Sequence, residues 1–364
     1  MEHGTVSAVR RALATLGLDA ILLTNITNIG YVSGFTGSTA RVLVTKDEAL
    51  FFTDARYTIQ ANVECADFVQ VAVSGSREYL SAIGRELLTR SDISTVGFEA
   101  SEVTVELWES LTTRMPSMNW VATRGTVEEL RLVKSDAEIA KIEQAIHTAE
   151  AAFIGSARWL HPGTTEREVA AAIEYAMRLG GAECPSFETI VASGINGARP
   201  HHHAGDRQLV SGDLVTIDWG ASQSGYCSDI TRTVAIGAAE RLSDIQRRAH
   251  EAVLEAQAAA VAAIRPGAKG SDLDLAARAV LREYGLEDAF THSLGHSLGR
   301  DVHDGAVLSR QQTDVVLQPG MVFTVEPGVY IPEWGGVRIE DDVVVTQDGC
   351  KVLTQLPRTL QFFG

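Results

Sequence analysis

Positive charge is what this chain is shortest of: 31 Lys and Arg stand against 47 Asp and Glu in 364 residues, a formal net charge of −16. A nucleic-acid backbone is therefore a poor general partner, and no such role is expected. Cysteine is scarce too. Cys65, Cys184, Cys227 and Cys350 lie far apart and form no CxxC pair, so neither a disulfide framework nor a zinc-thiolate site is expected, and the thiols read as reduced in a cytoplasmic protein. The first seventeen residues lack the uninterrupted apolar core of a signal peptide. The Ala-rich stretch 251–264 holds Glu255 and Gln257 and is too short to span a bilayer, so no membrane partner is expected either. Residues 5–125 contain neither GxGxxG nor GxxxxGK(S/T), and no Ser or Cys sits in a recognisable nucleophile triad.

What is present is ordinary globular material, 45% hydrophobic and 21% charged, long enough for two domains. Against that background residues 214–233, LVTIDWGASQSGYCSDITRT, are unusual. They read as two short strands about a polar turn, and each strand carries one aspartate in an apolar or Thr-rich setting. If the strands pair, Asp218 and Asp229 converge on one face, because side chains alternate along a strand. One such Asp is readily explained as a turn cap. Two buried carboxylates need a cation or a set of donors.

Three later segments share this character. Residues 291–304, THSLGHSLGRDVHD, hold His292, His296 and His303; residues 322–330, VFTVEPGVY, end a β-like run at Glu326; residues 336–345, GVRIEDDVVV, place Glu340 in a second run, two residues after Arg338. Four carboxylates without counter-charge would repel, and some would stay protonated. Two divalent cations bring +4 against their −4. Oxygen-rich ligands with one imidazole suit Mn²⁺, with Co²⁺, Fe²⁺ or Zn²⁺ as other occupants.

Along the chain, residues 5–125 alternate helical and β-like patterns at α/β spacing. Helices are expected at 5–16, 55–64, 77–90 and 103–114, and strands at 19–24, 41–45, 49–53, 68–73, 95–99 and 120–123, which makes a mixed-sheet α/β domain. Residues 126–134 form a linker helix, which restarts at the capping box Ser135/Glu138. From 135 to 364 a helix–helix–hairpin order occurs twice: helices 135–159 and 166–179 with hairpin 213–236, then helices 243–264 and 271–284 with hairpin 321–345. Of the run His201-His202-His203, the last two read as a polar loop.

Asp218, Asp229, His296, Glu326 and Glu340, within DWG…CSDITRT, GHSLGRDVHD, TVEPGVY and GVRIEDD, resemble the five-ligand site of the pita-bread metallopeptidases. That family includes methionine aminopeptidase, Xaa-Pro aminopeptidase (aminopeptidase P) and prolidase. Residues 28–38, NIGYVSGFTGS, and 53–57, TDARY, resemble the N-terminal domain of aminopeptidase P, prolidase and creatinase, although Arg56 and Tyr57 by themselves read as a solvated helix start.

The resemblance implies a creatinase/prolidase-like domain over 1–125, a linker at 126–134, and an α+β pita-bread catalytic domain with an internal pseudo-repeat over 135–364. It implies a homodimer and a dinuclear centre whose bridging hydroxide attacks the scissile carbonyl. Glu326 would be ligand and proton shuttle. His201 and His303 would contact substrate and support the reacting centre. Arg338 would pair with a metal-bound carboxylate and with Tyr330, which borders the substrate, and His292 would stand behind them. Cys227 reads as a packed small residue.

The substrate implied is a peptide with proline in second position. Prolidases of the archaeal type carry an arginine four residues after the second His of this loop, where this chain has Val307, with Arg310 nearby. The expectation is therefore an Xaa-Pro aminopeptidase, with a dipeptide-cleaving prolidase as the alternative. A catalytically silent binding protein of the same fold, or a metal-free creatinase, would lack ligands that are all present here.

Overall fold

The computed structural model describes residues 4–75 and 78–364. It divides into two compact units, Met1–Arg131 and Leu132–Gly364, the division falling within the short helix Glu128–Leu132.

The first unit is a mixed sheet with helices on both faces. Its strands are β1 (Ala20–Leu23), β2 (Arg41–Thr45), β3 (Ala49–Asp54), β4 (Val69–Val73), β5 (Thr95–Glu99) and β6 (Asn119–Thr123), in the order β4-β3-β2-β1-β5-β6. Only β2 runs against its neighbours. Its helices are α1 (Gly4–Leu16), α2 (Ile26–Ser33), α3 (Thr58–Glu64), α4 (Tyr79–Leu88) and α5 (Val105–Arg114). Alternation along the strands serves two cores: Ile21, Leu23, Val42 and Phe51 pack with α1 and α2, whereas Leu22, Leu43, Leu50 and Phe52 pack with α4 and α5. Helix α2 has no counterpart in the sequence reading. Eight residues give too few turns for a periodicity, and its signals lie at the ends: Asn25 accepts from the Asn28 N–H, and Gly34 stops the helix at φ 78°. The start expected for α4 at residue 77 lies outside the described residues.

The second unit shows the repeated order. Helices Asp136–Ser156 and Glu166–Leu179 precede strands Leu214–Trp219 and Ile230–Ile236; helices Asp244–Ala263 and Gly270–Glu283 precede strands from Val322 to Val345. Capping boxes start three of these helices, at Ser135/Glu138, Thr165/Glu168 and Ser243/Gln246. Strand Ile190–Ser193 pairs antiparallel with Leu214–Trp219, which pairs antiparallel with Ile230–Ile236.

The second hairpin departs from expectation. Val322–Val325 pairs with Asp341–Val345, and Gly328–Ile331 pairs with Gly335–Arg338, but the ladder breaks on both sides between them. Pro327 cannot donate a ladder hydrogen bond, which accounts for one side of the break.

No helix among the described residues is long and apolar enough to cross a membrane. The four cysteines are unpaired.

Trp219 anchors the first hairpin to the helix behind it. It is fully buried, its indole N–H donates to the Ala149 carbonyl at 2.9 Å, and its ring stacks on Phe153 at 4.8 Å. Trp219→Ala would remove the largest fully buried side chain among the described residues and its hydrogen bond to the helix. It is expected to destabilise the second unit by about 3–5 kcal/mol, read as a lower denaturant midpoint at unchanged slope.

Candidate metal centre

The strand register places the first two carboxylates. Asp218 stands opposite Thr231 in the ladder, and Asp229 lies two residues before Thr231, so all three share one face while Ile217, Trp219 and Ile230 enter the core on the other. Thr216 and Thr233 touch across the same face at 3.1 Å. The Asp229 N–H is held by the buried Asp342 carboxylate at 3.1 Å.

The broken hairpin places the other two. Glu326 and Glu340 occupy the gaps on its two sides, and their backbone N–H groups donate outside it, Glu326 to the Leu294 carbonyl and Glu340 to that of Thr231. The second bond seats Glu340 over the first hairpin, where its side chain accepts from the Thr231 hydroxyl at 2.6 Å. Two residues along, Arg338 reaches the same face. Its guanidinium grips Asp218 at 2.6 Å, the Tyr330 hydroxyl at 2.9 Å and the Thr231 hydroxyl at 3.0 Å. His292 bonds the Tyr330 hydroxyl from the other side at 2.8 Å.

His296 completes the cluster. Its Nδ1 lies 3.3 Å from the Ser297 carbonyl; with the proton there, Nε2 presents a lone pair to Asp229 at 3.6 Å and Glu326 at 3.5 Å. These gaps are too long for hydrogen bonds. Thr324 ties the groups together, accepting from the His296 N–H and donating to Glu326.

The electrostatics match the geometry. Burial, then the neighbouring carboxylates, drives Asp229 and Glu340 well above the usual carboxylate range. Burial first, and then Asp218, raises Glu326 to about 8, even though Arg338 acts in the opposite sense. Burial, with His303 close by, lowers His296 to about 4, which keeps it neutral. Burial opposes the charge on Arg338, but the surrounding acids hold its pKa above the ordinary value. Asp218 Oδ1 is buried with no hydrogen-bond partner. Asp229, His296 and Glu340 each offer a ligand atom, all within 4.8 Å of one another. A neutral imidazole, an orphaned carboxylate oxygen and carboxyls that resist ionisation together fit divalent cations, which would remove the repulsion and supply the missing partners.

His201 and His303 are exposed in the wall of a cavity of about 500 Å³ that also contains Asp218, Asp229, Glu326 and Glu340. A smaller lobe of about 150 Å³ joins them to Arg338, His292 and Val307. Cys227 is buried against the Arg300 carbonyl, and burial pushes its thiol to about 12, so it offers no nucleophile.

His202 differs from the polar-loop reading. It is buried and bonds Glu166 at 2.8 Å, whereas His203 remains exposed beside Glu188. Glu166, fully buried, also accepts from the Ser193 N–H and hydroxyl, Asn196 and the Gly205 N–H, and so clamps both ends of the loop that presents His201. Burial works against its charge, but the bonds from Ser193, Asn196 and His202 lower its pKa. The capping-box spacing at Thr165 marks this helix start in the sequence. Nothing local marks Glu166 as buried.

Residues 140–347 match metallopeptidase family M24, and residues 6–133 match the creatinase/prolidase N-terminal domain. A solved structure described as an Xaa-Pro dipeptidase from Bacillus anthracis superposes with a TM-score of 0.94 at 38% identity, covering 100% of both chains. An X-Pro aminopeptidase from Thermotoga maritima gives a TM-score of 0.89 at 39% identity, over 97% of this chain and 99% of its own. The Xaa-Pro dipeptidase of Pyrococcus horikoshii is 37% identical over 94% of each chain.

Two outcomes follow from the centre's charges and bonds. In metal-stripped protein the folded state keeps a proton on Glu326 that the unfolded chain has lost, between its ordinary 4.5 and about 8. Its contribution to stability is complete below 4.5 and disappears as pH rises through that window. The melting temperature should therefore fall with pH there, and added Mn²⁺ should flatten the slope. Separately, Glu166→Ala strands His202 and is expected to cost about 3–5 kcal/mol in chemical denaturation.

Proposed function

Because the chain belongs to metallopeptidase family M24, we propose that it hydrolyses the bond between an N-terminal residue and proline with two divalent metal ions, acting on Xaa-Pro dipeptides. The observation that carries the reading is the convergence of Asp218, Asp229, His296, Glu326 and Glu340 on one cavity wall with His201 and His303 beside them. The division of labour expected along the chain goes with it, residues 135–364 carrying the chemistry.

Bound by these five side chains, the ions would supply an activated water near neutral pH and a Lewis acid for the carbonyl. Glu326, with one edge toward the cavity, takes the proton and passes it to the leaving proline nitrogen. That nitrogen belongs to a tertiary amide without N–H, so the site can grip the scissile group only through its carbonyl. His201 and His303 are placed to donate to that oxygen. Arg338 holds Asp218 and Tyr330 in position and stays charged throughout. Phe187, Ile190 and Val302 give the cavity an apolar wall for substrate side chains. Manganese, a homodimer and cytoplasmic residence belong to the same reading.

The relatives' names favour a dipeptidase over the aminopeptidase expected from Val307. A polar chamber of about 550 Å³ adjoins the centre along His292, Ser293 and Val307, and holds Arg310, whose nearest carboxylate, Glu287, is 3.9 Å away. Arg310 is thus available to take a dipeptide's carboxylate. The same chamber also leaves room beyond the proline, which, with the Thermotoga maritima structure, supports cleavage of longer peptides as the second reading.

Metal-stripped enzyme should hydrolyse neither Gly-Pro nor Gly-Pro-Ala, and Mn²⁺ should restore Gly-Pro cleavage, with the tripeptide much slower. Faster release of Gly from the tripeptide would make the second reading correct, and turnover of neither substrate would sink both. His303→Ala should lower kcat about 10²–10³-fold at unchanged metal content.

A further inference from the structure

The first unit contains a charge arrangement that its own residues leave incomplete. In the order β4-β3-β2-β1-β5-β6, the chain builds outward on one side of β1 and then crosses to β5 on the other. The switch falls between β1 and β5. Open α/β sheets bind ligands at such a point, outside the carboxyl ends of the strands.

A cavity of about 330 Å³ lies at this end of β1. Leu22 comes from the end of β1 and Thr24 from just beyond it, and Arg41 from the start of its antiparallel neighbour β2; Tyr79 opens α4, and Arg114 closes α5. Arg41 is half-buried and spends one bond on its neighbour's carbonyl, that of Ala40. Arg114 makes only a long bond, 3.3 Å, to Ser81. Neither guanidinium pairs with a carboxylate among the described residues. The Tyr79 hydroxyl is buried beside Thr53 and Asp54 without a well-formed hydrogen bond, and the Arg41 guanidinium lies over its ring, 5.7 Å from the centroid.

The nearby acids are committed elsewhere. Glu99 accepts from the Thr24 and Asn25 N–H groups and from Asn28, and Asp54 is gripped by Arg56. Burial lowers the Arg41 pKa, and Tyr79 and then Glu99 only partly offset it. Desolvating a charge without a counter-charge is costly, so a half-buried guanidinium facing a cavity, with no carboxylate on it and a second guanidinium across the space, calls for an anion.

We propose that this cavity is a binding site for a small organic anion, its acidic head on Arg41, Arg114 and Tyr79 and its aliphatic body against Leu22, Ile83 and Leu107. The volume equals that of roughly ten water molecules, which suits a branched carboxylate or the corresponding phosphate ester and leaves no room for a polymer. The site is independent of the peptidase reading.

Calorimetric titration of the full-length, Mn²⁺-loaded protein with 4-methylpentanoate, 3-methylbutyl phosphate and the neutral 4-methylpentanamide tests it. At least one acid should bind with Kd below ~10 mM and the amide should not; which acid binds distinguishes carboxylate from phosphate sources. Arg114→Met and Tyr79→Phe should each weaken that binding about tenfold or more while peptidase activity and melting temperature stay at wild-type values; Arg41→Met should do the same if it folds. Three results would overturn the proposal: no acid binding, equal binding of the amide, or binding unchanged in Arg114→Met and Tyr79→Phe. The last would locate the acid at the metal centre.

Discussion

Four carboxylates and one arginine share a space from which water is largely excluded, and the second unit is organised around that imbalance. Arg338 can neutralise one of them, and it is fully spent on Asp218, Tyr330 and Thr231. The remaining acids either keep their protons or acquire metal, because burial makes their uncompensated ionised state costly. A neutral His296 among acids that resist ionisation is the same constraint seen from the imidazole side. Metal affinity and folding stability are therefore two views of one charge balance.

The backbone creates this crowding by interrupting its own hydrogen bonding. A continuous hairpin from Val322 to Val345 would pair Glu326 and Glu340 within the ladder. Instead it opens there, and their N–H groups find the Leu294 and Thr231 carbonyls. A second tier of buried ion pairs holds the opened segments. Asp341, beside Glu340, is gripped by Arg232, which ties the two hairpins together, and by Gln257 and Arg358 from the helix behind and the C-terminal segment. Lys134 and Asp304 form a buried pair next to His303. Glu166 does the same for the loop carrying His201. Such pairs add little net stability over apolar packing, but they fix geometry. The centre needs that geometry more than it needs stability.

The first unit handles its polar groups differently. Glu99 is buried and saturated by the turn after β1, a closed arrangement with nothing left to bind. A few residues away Arg41 and Tyr79 are left open, on the face served by α4 and α5. The contrast between a satisfied acid and an unsatisfied base at one end of one sheet makes that cavity more than a packing defect.

Much of this was written locally in the chain. Strand alternation set Asp218 and Asp229 on one face, three capping boxes marked helix starts, and flanking residues as specific as GHSLGRDVHD and TVEPGVY carried the family. These are short-range properties, determined by side-chain spacing and backbone propensity. Helix α2 was hidden because its evidence is a cap and a stop with little between. The break at Glu326 and Glu340, the burial of His202 on Glu166 and the want of a carboxylate on Arg41 depend on partners 36 to more than 100 positions away or on partners that are missing, and no local pattern records them. The sequence by itself determined which groups could bind metal and how each strand faces. Only the tertiary structure decided which hydrogen bonds the backbone gives up and which charges remain unpaired, because both are settled by burial, a property of the assembled unit.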